Sequence, residues 1–176
     1  MAEILKKGPR LRLRRAEMTD IDYICALQEE NSDYIVPFPR TVHETIISQA
    51  EASIDIIVEE QAGGARVGYL HATGLLLDTR EQEWTHVVIE KKGCGYGREA
   101  MKLLKAWAFE NKGAHRAWLD CKDYNARALH LYESEGMIRE ALIRETILCR
   151  GVYENLVVLG ILDREYRARK HAGLEL

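Results

Sequence analysis

The sequence has few of the residues that divide, cross-link or anchor a chain. Its three prolines, Pro9, Pro37 and Pro39, all lie before residue 40, so no proline-rich linker separates later parts. Its four cysteines form no CxxC pair, which disfavours a zinc site, and they are too few for a disulfide framework. No stretch approaches the ~18 consecutive apolar residues of a membrane-spanning helix, and none follows Lys6 and Lys7 as in a signal peptide. We therefore expect a cytoplasmic protein with reduced cysteines, no bound metal and no membrane partner.

The charge balance also lacks an excess of either sign. The chain has 25 Lys and Arg residues and 28 Asp and Glu residues, so its net charge is −3. This balance provides no general attraction to nucleic acid, and we expect no nucleic-acid partner. The length of 176 residues suits one domain with a hydrophobic core. We predict a single domain over residues 1–176, with its core at residues 10–162 and a mixed-charge tail at residues 163–176.

The hydrophobic pattern predicts a definite order of helices and strands. Alternating residues 11–14 predict a strand, and two helical segments follow, separated by the proline-containing loop at residues 31–40. Three strands come next, then a helix behind a glycine-rich turn, a strand, a helix and two long strands. The order β-α-α-β-β-β-α-β-α-β-β combines antiparallel hairpins with one strand-helix-strand crossover. It predicts an α+β fold in which helices flank a mixed, mostly antiparallel sheet.

The glycine-rich turn is the clearest candidate for a binding site. Gly93, Gly95 and Gly97 lie between a predicted strand and a predicted helix, with Lys92 and Arg98 beside them. Glycines let the backbone approach a ligand closely, and the first N–H groups of a helix attract anions. The spacing therefore predicts a phosphate-binding loop. A tight turn without a ligand is the alternative.

Three phosphate ligands are compatible with such a loop. The Gly-Lys-Ser/Thr ending of a nucleotide-binding P-loop is absent. The dinucleotide pattern G-x-G-x-x-A is met by Gly95, Gly97 and Ala100, with Asp120 after the next strand. However, an antiparallel hairpin follows where a nicotinamide-binding fold needs further parallel strands. The third option is the diphosphate of an acyl-coenzyme A.

Two motifs support the third option through a family resemblance. Lys92 to Gly97 resembles the Gln/Arg-x-x-Gly-x-Gly/Ala signature of the GNAT superfamily of acyl-CoA-dependent N-acetyltransferases, with lysine at the first position. Residues 125–137, from Asn125 through Tyr132 to Met137, resemble the family's Asn-x-x-Ala-x-x-x-Tyr-x-x-x-Gly-Phe segment. The resemblance covers residues 11–162. Within the family, the last hairpin looks most like the branch of ribosomal-protein N-terminal and spermidine acetyltransferases.

The resemblance implies a reaction and a set of residues. It implies transfer of acetyl from acetyl-CoA to a primary amine, of a small molecule or a protein N-terminus, within a ternary complex. Tyr132 would be the general acid toward the CoA thiolate. The implied cofactor-binding residues are Val87, Val88, Ile89, Lys92, Gly93, Cys94, Gly95, Tyr96, Gly97, Arg98, Asn125 and Ala128.

The general base and the acceptor site are less sharply indicated. Glu83 is our predicted catalytic carboxylate, with His86 as the other main candidate and Glu81 and His71 as weaker ones. Positions 83 and 86 face opposite sides of a regular strand unless a bulge intervenes. For the acceptor amine we predict three residues of the proline-bounded loop: Asp33, Tyr34 and Phe38.

Two other function classes remain open from the sequence alone. One is a sensor module that binds acyl-CoA without catalysis, and the other is a nicotinamide-dependent oxidoreductase. The long closing hairpin is also compatible with a homodimer.

Overall fold

Eight strands form one sheet in the computed structural model, which describes residues 2–176. Their order across the sheet is β1-β2-β3-β4-β5-β6-β8-β7, and every neighbouring pair is antiparallel except β5 with β6. The strands are β1 (Ile4–Lys7), β2 (Leu11–Arg15), β3 (Ser53–Glu60), β4 (Arg66–Thr73), β5 (Glu81–Ile89), β6 (Arg116–Lys122), β7 (Ile138–Cys149) and β8 (Val152–Leu162). The helices are α1 (Ile21–Glu30), α2 (Arg40–Gln49), α3 (Tyr96–Ala106), α4 (Ala126–Ser134) and α5 (Asp163–His171).

The predicted element order is confirmed, with one addition at each end. Strand β1 pairs with β2 ahead of the first predicted strand. The expected tail instead forms α5, and its Tyr166 is completely buried. Beyond that helix, Glu175 is also buried and accepts a hydrogen bond from Lys105 at 2.6 Å. These long-range contacts, which the local composition does not reveal, hold the C-terminus against the domain.

The helices cover the two faces of the sheet unequally. One face packs against α3, whose Met101, Leu103 and Leu104 are fully buried in the main core. The other face packs a smaller cluster, including Tyr69 and Val88, beneath α1 and α2. Both faces of the central strands are therefore buried.

Strands β5 and β6 are paired over only part of their length. Their parallel register runs from Glu81 opposite Arg116 to Glu83 opposite Trp118. Beyond Glu83 the two strands separate, because β6 turns toward β8, with which it pairs along its whole length. We call the point of separation at Glu83 the vertex. A gap therefore opens in the middle of an otherwise continuous sheet.

A bulge in β5 changes the direction of side chains near the vertex. His71 of β4 is opposite His86, but Thr73 is opposite Glu83, so β5 contains one more residue than β4 between these pairs. Residues opposite each other in an antiparallel pair share a face of the sheet. Glu83, His86 and His71 thus lie on the face covered by α1 and α2. The exception that we allowed for a bulge therefore applies, and Glu83 and His86 point to the same face.

Candidate active site

A cavity of about 540 Å³ occupies the gap between β5 and β6. We call it the large cavity. Its walls are the end of β5, the glycine-rich turn, the start of α3 and one side of α4. The lining residues are Asn31, Tyr34, Ile35, Val87, Val88, Ile89, Lys91, Lys92, Gly93, Gly95, Tyr96, Gly97, Arg98, Asn125, Arg127, Ala128, His130, Leu131, Tyr132 and Ser134.

The glycine-rich turn presents backbone N–H groups to this cavity. Gly95 precedes the first residue of α3 in a left-handed conformation, with φ of 84°, and Gly93 has φ of 80°. Other residues adopt this conformation only at a cost. The N–H groups of the first helical turn lack intrahelical acceptors and lie at the positive end of the helix dipole. The predicted anion-binding loop thus lies at the cavity wall.

Basic side chains add positive charge to the same wall. Lys92, Arg98 and Arg127 all line the cavity. Burial lowers the pKa of Lys92, and the nearby charge of Arg127 lowers it further. Like charges held this close favour a bound anion that relieves their repulsion. Lys91 is already paired with Glu60 at 2.6 Å.

Nearly all the predicted cofactor-binding residues line the large cavity, and Cys94 is the exception. The Cys94 thiol donates to the carbonyl of Lys91 at 3.4 Å, and its own carbonyl accepts from Arg10 at 2.9 Å. Cys94 therefore stabilises the turn, and its side chain is absent from the cavity lining. Asn125 does line the cavity, but its side-chain oxygen caps α4 by accepting from the N–H of Ala128 at 3.2 Å. Only the NH2 group of its side-chain amide is left for a ligand.

Tyr132 lies deep in the large cavity on the α3 side of the sheet. It is 7% exposed and belongs to the main core. Burial, with smaller contributions from Cys121 and Asp120, raises its pKa far above the ordinary value. The hydroxyl is therefore protonated at any physiological pH and can only donate its proton or share it in a hydrogen bond.

Glu83 faces a second cavity on the opposite side of the sheet from Tyr132. This small cavity has a volume of about 400 Å³, and its lining residues are Ala52, Thr73, Gly74, Leu76, Leu77, Glu81, Glu83 and Trp118. Burial and the neighbouring carboxylate of Asp120 raise the pKa of Glu83, whereas His71 lowers it. Leu76 and Leu77 are more than half exposed at the rim. The cavity combines apolar walls with a carboxylate at the vertex.

His86 is buried beneath the loop between α1 and α2, against the partly buried Phe38 of that loop. The His86 ring lies 4.4 Å from the Phe38 ring, and its Nε2 donates to the carbonyl of Val36 at 3.1 Å. Burial is the main cause that lowers the pKa of His86 to about 4. Phe38 also packs on His71 and His43, and it lines neither cavity. The structure thus gives Phe38 a covering position where we predicted an acceptor contact.

The two other predicted acceptor residues have separate positions. Tyr34 lines the large cavity. Asp33 forms a salt bridge with Arg150 of the β7–β8 turn, and its carbonyl accepts from Lys122 at 2.8 Å and Tyr124 at 2.7 Å. Asp33 therefore ties the loop to the closing hairpin and lines neither cavity.

The sequence interpretation missed several residues of the large cavity. Arg127, Leu131 and Ser134 lie on one side of α4, at the spacing of successive helical turns. That spacing was available from the sequence. The contributions of Asn31 and Ile35 were not, because they depend on how the first loop crosses the sheet.

No helix within residues 2–176 is long and apolar enough to cross a membrane.

The site thus combines a gap between two parallel strands with the N-terminus of a helix beside it. The chain belongs to the GNAT acetyltransferases, since residues 10–138 match the model of the acetyltransferase (GNAT) domain family. Members of this family use acetyl-CoA as co-substrate. The predicted family, fold class and co-substrate are confirmed. The nicotinamide-dependent oxidoreductase is excluded, because β8 lies beside β6 and runs antiparallel to both β6 and β7, where that fold needs further parallel strands.

One curated relative matches part of the chain. Over 80 residues the chain is 28% identical to the spermidine N(1)-acetyltransferase of Vibrio cholerae, a match that spans 46% of each protein. The chain thus matches less than half the length of that curated relative.

Solved structures show the same fold over nearly the whole chain. The V. cholerae spermidine N-acetyltransferase in complex with CoA and spermine has a TM-score of 0.81 and 23% identity, covering 91% of this chain and 99% of that one. A mutant form of the same SpeG enzyme has a TM-score of 0.82 and 22% identity, covering 93% and 99%.

Proposed function

We propose that this protein transfers acetyl from acetyl-CoA directly to a primary amine. The observation that carries the proposal is the gap between β5 and β6, with the glycine-rich turn at one end and the vertex at the other. The diphosphate of CoA binds the N–H groups at the start of α3, near Lys92 and Arg98. The pantetheine arm follows the unpaired edge of residues 87–89, and Asn125 donates to it. The acetyl group then lies at the vertex.

Tyr132 and Glu83 act at the vertex from opposite faces of the sheet. Tyr132 donates its proton to the CoA sulfur as the thioester breaks. Glu83 holds the acceptor ammonium beside the thioester from the small cavity. A lysine-like amine with a pKa near 10.4 costs about 4.6 kcal/mol to deprotonate at pH 7, so proton removal at the vertex is essential.

The acceptor is an aliphatic polyamine. The small cavity offers leucine and tryptophan side chains to a methylene chain, while Glu83 attracts an ammonium group; Glu81 is paired with Arg116 at 3.0 Å. The V. cholerae relative named as a spermidine N(1)-acetyltransferase supports this class of acceptor. Four free cysteines support a reducing compartment such as the cytoplasm.

The protein functions as a homodimer through its closing hairpin. Strand β7 is the last strand of the sheet, and its outer edge has no partner among residues 2–176. Leu142, Leu148 and Tyr153 on the hairpin are each more than half exposed. An open apolar edge is a surface that a second copy can cover.

A thiol-release assay with a panel of amines tests the activity. We expect free CoA to appear with acetyl-CoA and spermidine, and to a lesser extent with amino acids or N-terminal peptides. Binding of acetyl-CoA, seen as thermal stabilisation, without thiol release from any amine would favour the sensor alternative. No stabilisation by acetyl-CoA would contradict both functions.

A matched pair of glycine variants tests the position of the diphosphate. Gly95→Ala and Gly113→Ala both replace a glycine of positive φ, so both lose comparable stability. Only Gly95 lines the large cavity. We expect Gly95→Ala to weaken acetyl-CoA binding at least about tenfold, whereas Gly113→Ala retains it. Equal affinities, measured by calorimetry, would mean that the diphosphate binds elsewhere.

A further inference from the structure

A chain of buried hydrogen bonds runs from the first loop toward the vertex. The N–H of Phe38 donates to Gln28 Oε1 at 3.0 Å, so the side-chain oxygen of Gln28 faces Phe38. The side-chain nitrogen of Gln28 therefore faces His43 and donates to its Nε2 at 2.7 Å. His43 therefore accepts at Nε2 and donates from Nδ1, which is 2.7 Å from Asp55 Oδ2. His43 is neutral, and both of its ring nitrogens are occupied.

The same carboxylate holds a second imidazole. His71 Nδ1 is 2.8 Å from Asp55 Oδ1, to which the Tyr69 hydroxyl also donates at 3.0 Å. Burial alone would raise the pKa of Asp55, but hydrogen bonds from His43 and His71 lower it, so the carboxyl remains ionised. A carboxylate can only accept hydrogen bonds. The proton of the neutral His71 ring is therefore on Nδ1, and its lone pair is on Nε2.

His71 is the member of this network that lies toward the vertex. The bulge in β5 places it on the same face as Glu83, and its charge acts on that carboxyl. Its side chain is about 5% exposed, whereas that of His43 is fully buried. The titratable groups around it are Asp55 of β3, Tyr69 of β4, Glu83 and His86 of β5 and His43 of α2, with Asp120 of β6 beyond Glu83.

We propose that His71, oriented by Asp55, takes up the proton that the acceptor ammonium loses before it attacks acetyl-CoA. This inference rests on the proposed acetyltransferase function. One proton of the ammonium passes to His71 Nε2 through water, since His71 lines neither cavity, and the nitrogen lone pair forms the bond to the acetyl carbon. The carbon–sulfur bond then breaks, and Tyr132 protonates the sulfur. The nitrogen then loses a second proton, which restores the hydroxyl of Tyr132. The proton on His71 passes to solvent.

The other candidates on this face are less suited to hold that proton. His86 donates from Nε2 to the Val36 carbonyl. Its one lone pair, on Nδ1, is buried away from solvent and so is not accessible to a substrate proton. Glu83 is a carboxylate that lines the small cavity, where its charge is needed to hold the acceptor ammonium. A protonated His71, by contrast, gains an ion pair with Asp55, as in the aspartate–histidine pairs of hydrolases.

Paired asparagine variants of the two histidines test the inference. Asparagine can replace the Nδ1 donor of histidine toward Asp55 but has no equivalent of Nε2. In H71N we expect kcat/KM for spermidine to fall at least about 10²-fold and the acid limb of its pH profile to disappear. H43N removes the other imidazole that the same carboxylate holds, and we expect it to retain the acid limb. Thermal stabilisation by acetyl-CoA should be unchanged in both.

A fluorinated alkylamine that is neutral at the assay pH provides a second readout. It needs no base before attack, so we expect H71N and wild type to acetylate it at similar rates. Equal pH profiles for H71N and H43N would overturn the role of His71 while leaving the acetyltransferase function intact. If H71N does not fold, a wild-type profile with no acid limb between about pH 5 and 8 would overturn it as well. Failure of wild type to release thiol would instead contradict the proposed function.

Discussion

At the residue scale, the vertex brings two groups of raised pKa to opposite faces of the sheet. Tyr132 is buried on the α3 side, and Glu83 faces the small cavity. Burial is the largest cause in both cases. Tyr132 therefore keeps its proton at physiological pH, and Glu83 takes up a proton more readily than an exposed carboxylate does.

Removing the Tyr132 hydroxyl tests its role. We expect Tyr132→Phe to lower kcat roughly 10²-fold, because the proposed proton donation occurs only as the thiolate forms. The KM for acetyl-CoA and the free energy of unfolding should change little. Tyr23→Phe, which removes a hydroxyl bonded to Glu90 away from both cavities, is the matched control. Steady-state kinetics of both variants decide the matter, and an unchanged kcat would remove Tyr132 from the mechanism.

A buried lysine provides a second prediction at this scale. Lys105 is completely buried and donates to the Glu135 carbonyl at 2.7 Å and to the carboxylates of Glu135 and Glu175. Lys105→Met would remove the buried cation and leave Glu175 paired with Arg169 alone and Glu135 with Arg98 alone. We expect a loss of about 3–5 kcal/mol in the free energy of unfolding, measured in urea. Lys102→Met, on the same helix but partly exposed, should change it by less than about 0.5 kcal/mol.

At the element scale, Glu110 joins the turn after α3 to both ends of the chain. It accepts hydrogen bonds from Lys6, Tyr166 and Lys170, which connect it to β1 and α5. Burial alone would raise its pKa, but these bonds lower it to about 2. The Glu110 carboxylate thus contacts both β1 and α5, the two elements that the sequence pattern did not predict.

The pH dependence of stability follows from this lowered pKa. A carboxyl with a pKa of 4.5 when unfolded and about 2 when folded stabilises the fold above pH 4.5. That contribution disappears as the pH falls from 4.5 to 2. We expect Glu110→Gln to destabilise the protein at pH 7 and the difference from wild type to shrink below pH 4.5. Urea unfolding between pH 7 and 3 measures this, with Asp163→Asn as the control for an exposed pair on α5. A pH-independent difference would contradict the assignment.

At the scale of the whole molecule, the closing hairpin has the largest unpaired edge. If β7 binds a second copy, the isolated protein should sediment as a dimer at micromolar concentrations. Leu142→Glu would place a charge in that interface, and we expect it to shift the protein to monomers without loss of folding. Val36→Glu, a charge on an exposed residue of the first loop, should leave the dimer intact. A wild-type monomer in the ultracentrifuge would refute the dimer.

The sequence by itself determined the fold class and the residues of the glycine-rich turn that line the large cavity. Periodicity is a local signal, so the main helices and strands could be predicted from neighbouring residues. The glycine-rich turn was equally local, because the left-handed conformations of Gly93 and Gly95 and the start of α3 lie within one short segment. Nearly all the predicted cofactor-binding residues accordingly line one cavity.

Only the tertiary structure decided which groups meet at the vertex. One extra residue in β5 brought Glu83, His86 and His71 to the same face, and a bulge leaves no clear mark in the hydrophobic pattern. The hydrogen bonds of Asp55 join strands and a helix that are distant in sequence. Local propensities describe each segment by its own residues, whereas acid–base chemistry depends on the charges and burial supplied by other segments.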